Sequence, residues 1–454
     1  LSAGDGAAGR GPGATGRREP DPAEGRGASP TDSPRASADE PPSYSRPAPP
    51  RPADDELADR IRSVGDPAGA ETLTDGVVRL RTWTAADAPA IVAGLEDGSA
   101  AYWIVGMPHP YGPAEASDFL ARAERELASA GYAHLAVTDA ESGRVLGAIG
   151  LHFRHDRQTG EIGYWVSPRE RGRGVASRAV AIVTRWGFEQ LELPRLELII
   201  HPLNHESQMI ASRCGFRREG LLRSYLEHRG ERNDYYCFAR LPDDPEPSPQ
   251  PVLRTAIGVR DAASDGSYIL DNSNGPAGSN DEEIVLRPWR LGDAQAAVDM
   301  IADDSEILRW CVDIDDRIDL TQERTLIAEG ARMWCEHGLP RFAIVAAGSD
   351  GAGGLLGSID FEPPERRGVA ELGYLVAAEG RDRGIATAAL SAVTRWALEE
   401  GGLEACELLI DPANTRSVRV AEKAGYARVS ESVVPRRRLD LEGAFGLWRR
   451  TASR

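Results

Sequence analysis

Two long stretches of this chain are copies of one another, and nothing else in the sequence restricts its fold as much. LRTWTAADA from Leu80 matches LRPWRLGDA from Leu286, which aligns Trp83 with Trp289 and Asp87 with Asp293. Further along the register is constant at 210 residues: Tyr164 with Tyr374, Gly174 with Gly384, Trp186 with Trp396, Pro202 with Pro412, Asn204 with Asn414, Ser207 with Ser417 and Gly215 with Gly425. A gapless match of that extent is not accidental. The period is far longer than the roughly 20 to 50 residues of a solenoid repeat, so each copy is a whole domain.

The copies sit between segments of different composition. Residues 1–72 are built from Gly, Pro, Ala, Ser, Asp, Glu and Arg, with runs such as PPSYSRPAPPRPADDE, and offer so little to bury that a disordered tail is expected. PDDPEPSPQP from Pro242 and SNGPAGSNDEE from Ser273 mark a linker over 244–280. That leaves a first domain at 73–243 and a second at 281–454.

Charge and cysteine usage exclude several classes. With 53 Lys+Arg against 71 Asp+Glu the formal charge is −18, and a surface so acidic repels a nucleic-acid backbone. The five cysteines (Cys214, Cys237, Cys311, Cys335 and Cys406) are odd in number and contain no CxxC pair, so neither a disulfide framework nor a zinc site is expected. No apolar run approaches the ~18 residues of a membrane span. A soluble protein of the reducing cytoplasm, without a metal, is the expectation.

Within one copy the hydrophobic period alternates between two and about 3.6 residues. GVVRLRTW reads as a strand and AADAPAIVAGLED as a helix with Thr84 as its N-cap; PAEASDFLARAERELASAG is a longer helix ended by Gly131. YAHLAVTDA, RVLGAIGLHF and GEIGYWVS read as three strands, VASRAVAIVTRWGFEQL as a helix and LELIIHP as a buried strand. A short helix ESQMIASRCGF and a hairpin around Gly230 close the copy. An antiparallel meander feeding a helix and a further strand is an α+β design.

RERGRG, from Arg169 to Gly174, joins a strand to a long helix. Unpaired amides at a helix start, with the positive end of its dipole, suit a phosphate group; Gly172 and Gly174 allow close approach, and Arg169, Arg171 and Arg173 add charge. It is not a dinucleotide fingerprint, because no βαβ unit surrounds it. GYWVSPRERGRGVASRAV followed by HPLNHESQMIASRCGF resembles the GNAT superfamily of acyl-CoA-dependent N-acetyltransferases, and in detail its RimJ/RimL-type branch. The family loop Arg/Gln-x-x-Gly-x-Gly/Ala is matched by Arg169, Gly172 and Gly174, and the likeness runs from LRTWTAADA to LLRSYLEHRGERNDYYCFARL.

The resemblance implies two tandem GNAT (acyl-CoA N-acyltransferase) folds, each a mixed, mostly antiparallel sheet flanked by helices. It implies acetyl-CoA as co-substrate, its pantetheine paired with main chain at Val166 and Ser167, its pyrophosphate on the amides from Arg169 to Val175, and Asn204 near its thiol. The reaction so implied is attack of a neutral primary amine on the thioester, which needs one group to take a proton and another to meet the leaving thiolate. The tyrosine that many members place seven residues after the asparagine is replaced by Ala211 here and by Ala421 in the second copy. Ser207 and Ser417 match the RimJ/RimL-type serine and are expected to hydrogen-bond the thiolate. Glu161, and Glu371 in the second copy, match a glutamate used as base elsewhere in the superfamily.

The second copy departs at the loop, which reads EGRDRG, so Glu379 and Asp382 replace the first Arg and first Gly while Arg383, Gly384 and Asn414 remain. Carboxylates there are expected to weaken phosphate binding, leaving the second domain either active or degenerate. The acceptor implied is a protein N-terminal α-amine or a small-molecule amine such as a polyamine or an antibiotic. An acyl-CoA sensor or scaffold without turnover is the alternative of another class. Two homologous domains in one chain are also expected to pack as an intramolecular pseudo-dimer.

Overall fold

The computed structural model describes residues 52–64, 73–154, 158–256, 283–302, 304–310, 318–348, 354–366, 368–433 and 445–452. The expectations for residues 1–51 and 65–72 of the tail, for 257–280 of the linker, for 281–282 of the second domain and for Cys311 fall outside these.

The first described element lies inside the segment that composition marks as a tail. Residues Pro52–Ser63 form helix α1. Leu57, Ala58, Ile61 and Val64 share one face of it at helical spacing; Ala58, Ile61 and Val64 are buried in the first core, and Arg62 donates to the Ala128 carbonyl at 3.0 Å. Average composition concealed this, because Pro, Asp and Glu surround the four apolar residues that a helix collects on one side.

The first half then runs β1 (Val78–Thr82), α2 (Ala88–Gly94), α3 (Ser99–Trp103), α4 (Pro113–Ala128), β2 (Tyr132–Asp139), β3 (Val145–Phe153), β4 (Thr159–Val166), α5 (Val175–Glu189), β5 (Arg195–Ile200), α6 (His205–Arg213), β6 (Arg217–His228) and β7 (Glu231–Arg240). They form one sheet in the order β1-β2-β3-β4-β5-β7-β6, antiparallel except between β4 and β5. Both faces are covered. Leu135, Ile149 and Leu151 pack with Val180, Val183 and Trp186 of α5, while Ala148 and Trp165 on the other face meet Ile91, Leu95 and Ala116. This explains why β2 to β4 read as near-continuous apolar runs.

The second half repeats the plan: β9 (Glu283–Pro288), α7 (Ala294–Ala302), α8 (Ser305–Trp310), α9 (Leu320–His337), β10 (Arg341–Ala346), β11 (Leu355–Arg366), β12 (Val369–Val376), α10 (Ile385–Glu399), β13 (Ala405–Ile410), α11 (Thr415–Lys423), β14 (Ala427–Val433) and β15 (Phe445–Thr451). Its sheet gains a strand, because β8 (Leu253–Ala256) pairs with β9, with Leu253 and Ile284 buried. VLRTA, inside the segment read as a linker, has enough apolar alternation to extend a sheet edge. Each half fixes its first strand alike: Arg81 holds Asp87 at 2.8 Å through both nitrogens, and Arg287 holds Asp293 at 2.7 and 2.8 Å.

The halves meet where α9 crosses α6. His205 Nε2 lies 2.9 Å from Thr325 Oγ1, Arg324 pairs with Glu206, and the Arg218 amide donates to Glu336 at 3.0 Å. Met209 joins an apolar cluster with Trp289, Ala294 and Ile327. The contact joins unlike surfaces, since the counterparts α4 and α11 make no comparable contact.

Candidate active site

The site begins where two strands part. β4 and β5 pair only from Thr159 to Glu161 against Arg195 to Glu197, and β12 and β13 only from Val369 to Glu371 against Ala405 to Glu407. Beyond those pairs the strands lose their ladder and leave a wedge. At the wide end of the first wedge, Gly172 (φ +74°) and Gly174 (φ +76°) turn the chain into α5, with Gly174 as N-cap, so the amides at Gly174 and Val175 face outward without helical partners. Arg171 is committed elsewhere: it donates to the Val166 carbonyl at 3.1 Å, to Asp97 at 2.7 Å and to Ser99 Oγ at 2.6 Å, tying the loop to the start of α3. Arg173 leans on Glu170 at 3.4 Å, and Arg169 is exposed. Ser167 donates its amide to Leu146 across the sheet.

Asn204 caps α6, its Oδ1 accepting the Ser207 amide at 3.1 Å, and Asn414 does the same for Ser417 at 3.1 Å. The Tyr164 hydroxyl, on β4, donates to Ser207 Oγ at 3.1 Å. Burial pushes the Tyr164 phenol well above its ordinary range, so it remains a donor, and Ser207 keeps its own proton to give. Tyr374 reaches the Ser417 carbonyl at 3.5 Å instead.

On the α4 face of the sheet the first half holds a cavity of about 710 Å³. Its floor is the cross-strand pair Gly150 and Gly163, and Trp83, Tyr111, Phe119, Tyr132 and Trp165 supply aromatic walls. Glu115, Asp118 and Glu126 make the wall acidic, and Arg122 stands beside them. Tyr132 is sandwiched between His134 at 3.9 Å and His152 at 5.1 Å between ring centres. It leans over Gly150, and burial pushes its phenol up to about 12. Burial also lowers the His134 imidazole, which meets Glu126 at 2.6 Å.

Glu161 stands two residues before Gly163 on the same face of β4, in one row with Tyr132 and His152. Burial raises its carboxyl above the ordinary range, with Arg154 at 3.7 Å opposing. Arg154 sits closer to Glu197, at 2.7 Å. Glu161, Gly163 and the cavity therefore lie on one side of β4, with Tyr164 and Ser207 reached from the other side. Glu371 faces Glu362 and Glu407 in the second ladder. His155 is outside the described residues.

Tyr164, Tyr132 and the His134–Glu126 pair were not singled out by sequence. The constant register of Tyr164 with Tyr374 was the available signal for the first. The others gave none, because their counterparts differ.

The second loop repeats the first in backbone: Gly384 (φ +87°) caps α10, and Asp382 takes the left-handed conformation of Gly172 at φ +59°. Its carboxylate is exposed and lies 3.6 Å from Arg416, which offsets the repulsion expected at this loop. Arg381 repeats Arg171, donating to the Val376 carbonyl at 3.2 Å and pairing with Asp304. Arg383 donates to the Glu379 carbonyl at 3.1 Å.

A family model described as an acetyltransferase (GNAT) domain matches residues 78–217 and again 283–427, together more than half of the chain. An uncharacterized N-acetyltransferase, p20, of Bacillus licheniformis is 36% identical over 103 residues, 22% of this chain and 57% of that protein. The ribosomal-protein-serine acetyltransferase of Escherichia coli is 30% identical over 86 residues, 19% of this chain and 48% of that protein. The chain thus spans about half the length of these curated relatives. Among solved structures, RimJ of Mycobacterium smegmatis in complex with CoA-disulfide is 26% identical with a TM-score of 0.34, covering 37% of this chain and 83% of that one.

Proposed function

We propose that this chain, which belongs to the acetyltransferase (GNAT) family, transfers an acetyl group from acetyl-CoA to a primary amine held in the first-half cavity. The observation that carries the reading is the placement of that cavity: Gly163 and Trp165 of the splayed strand form part of its floor and wall. The wedge and the amides at Gly174 and Val175 fit the cofactor's pantetheine and pyrophosphate. Val166, Ser167, Arg169, Gly172 and Asn204 would line its path, with Arg173 adding charge. Arg171 acts instead as a strut of the loop. Acetyl-CoA, when bound, supplies the thioester.

Glu161 takes the proton of the incoming ammonium, directly or through water, and its raised carboxyl is suited to that role. Ser207, with its oxygen engaged by Tyr164, donates its hydrogen toward the leaving thiolate. The acidic and aromatic cavity wall favours an acceptor carrying positive charge, either a basic protein N-terminus or a small polyamine-like or aminoglycoside-like amine. Between these we favour the protein α-amine, in line with the name of the Escherichia coli relative.

The two halves act as a head-to-tail pseudo-dimer through α6 and α9. The setting we assign is the cytoplasm, consistent with the free thiols of Cys214, Cys237, Cys335 and Cys406. The test is product mass after incubating the intact chain with acetyl-CoA and a panel of basic peptides, acidic peptides and polyamines. Acetylation of cationic amines is expected; no acetylated product from any amine overturns the reading.

A further inference from the structure

We infer that the second half is a binding site for CoA or an acyl-CoA that does not turn over, a domain with the nucleotide side kept and the amine side closed. The inference rests on the shared fold of the halves and follows from comparing matched positions in their sheets.

On the nucleotide side the second half is the better furnished. A groove of about 270 Å³ lies between β12, α10 and α11. Arg416, Arg419 and Lys423 of α11 line it together with Arg381 and the start of α10 at Gly384. The matched positions in α6 are Glu206, Met209 and Arg213, so α11 carries three cations at positions where α6 carries one. Met209 and Glu206 are instead turned to the contact with α9. Arg416 is shared between Glu306 at 3.5 Å and Asp382 at 3.6 Å, and Arg381 is held by Asp304. Arg419 and Lys423 have no anionic partner among the described residues. Unneutralised cations beside outward-facing amides suit the phosphates of an anionic nucleotide.

The amine side is filled. Ladder register places Asp360 where the first half has Gly150, Arg341 where it has His134, and Ser358 where it has Ala148. Arg341 donates to Asp360 at 2.9 Å and to the Leu326 carbonyl at 2.8 Å, and Ser358 donates to Asp360 at 3.3 Å. Glu323 of α9, only 4% exposed, adds a second carboxylate. Positions that form the floor and wall of the first cavity are thus occupied by a largely buried ion network. An amine entering there would have to displace one member and strand the other, which is strongly unfavourable.

Calorimetry of the intact chain with CoA is expected to give two sites. Arg419→Glu combined with Lys423→Glu is expected to remove one of them. Gly163→Phe, which fills the first cavity, is expected to keep both sites while lowering amine acetylation roughly 100-fold. If that variant does not fold, Ala148→Phe serves the same purpose. A single wild-type site that survives the Arg419 and Lys423 changes overturns the inference, as does acetylation that persists in the filled variants. Two sites with no acetylation of any amine would refute the enzymatic reading while upholding the nucleotide site of the second half.

Discussion

Gly150→Ala tests the cavity floor with one methyl group. A Cβ at Gly150 would lie 2.4 Å from Tyr132 Cε1 and 3.0 Å from its hydroxyl oxygen. Carbon atoms rest about 3.5 to 4.0 Å apart, so the ring must retreat by roughly 1 Å. It cannot do so freely, because it is stacked 3.9 Å from His134 at an interplanar angle of 2°. Overpacking of this kind costs about 1 to 3 kcal/mol, and the reduced freedom of the unfolded chain returns about 0.4 to 1 kcal/mol. The central net loss of about 1.3 kcal/mol corresponds to a Tm lower by roughly 3 to 5 °C for a domain of this size.

Gly163→Ala is the control. Its Cβ would find only the Tyr132 hydroxyl, at 3.7 Å, so no comparable loss is expected. Thermal melts and steady-state kinetics check both. Gly150→Ala is expected to lower Tm and raise KM for the amine while KM for acetyl-CoA stays unchanged. An unchanged Tm and amine KM in Gly150→Ala, or an equal Tm loss in Gly163→Ala, would refute the placement of Tyr132 over the cavity floor.

Glu161→Gln is expected to lower kcat about 100-fold or more with CoA binding retained, read by thiol release and calorimetry. Because burial raises the Glu161 carboxyl in the folded state, its ionisation opposes folding as pH rises through that raised value. The Gln variant should therefore melt above wild type at neutral pH and equal to it below the ordinary carboxylate range, and wild-type turnover should rise with pH through the same window. Ser207→Ala and Tyr164→Phe are expected to lower kcat and leave acetyl-CoA KM nearly constant; unchanged kcat in both removes the Tyr164–Ser207 pair from the mechanism. Asp293→Ala leaves Arg287 charged and buried, with side-chain exposures of 7% and 3% in the intact pair, and should cost about 3 to 5 kcal/mol in denaturant unfolding.

The parts of the fold that repeat were legible in the sequence. Gly174 and Gly384, Asn204 and Asn414, and Asp87 and Asp293 each recur because the same backbone problem is solved twice: a helix start, a cap, and an anchored first strand. Helix α1 was hidden because its apolar residues are few and become a face only when coiled against an existing core. The cavity was hidden for another reason. Its floor is made by the absence of side chains at Gly150 and Gly163, and a strand glycine does not announce what it leaves room for. Arg341 and Asp360 were equally silent, since a charged pair meant for burial looks in sequence like any two polar strand residues.

The most direct measurement is thiol release by the intact chain mixed with acetyl-CoA and a cationic primary amine, in wild type and in Glu161→Gln. Amine-dependent release by wild type, lost in the variant while both bind CoA, is the expected result. Release at background with every amine, from a chain that binds CoA, would contradict the assignment of the first half as an acetyltransferase.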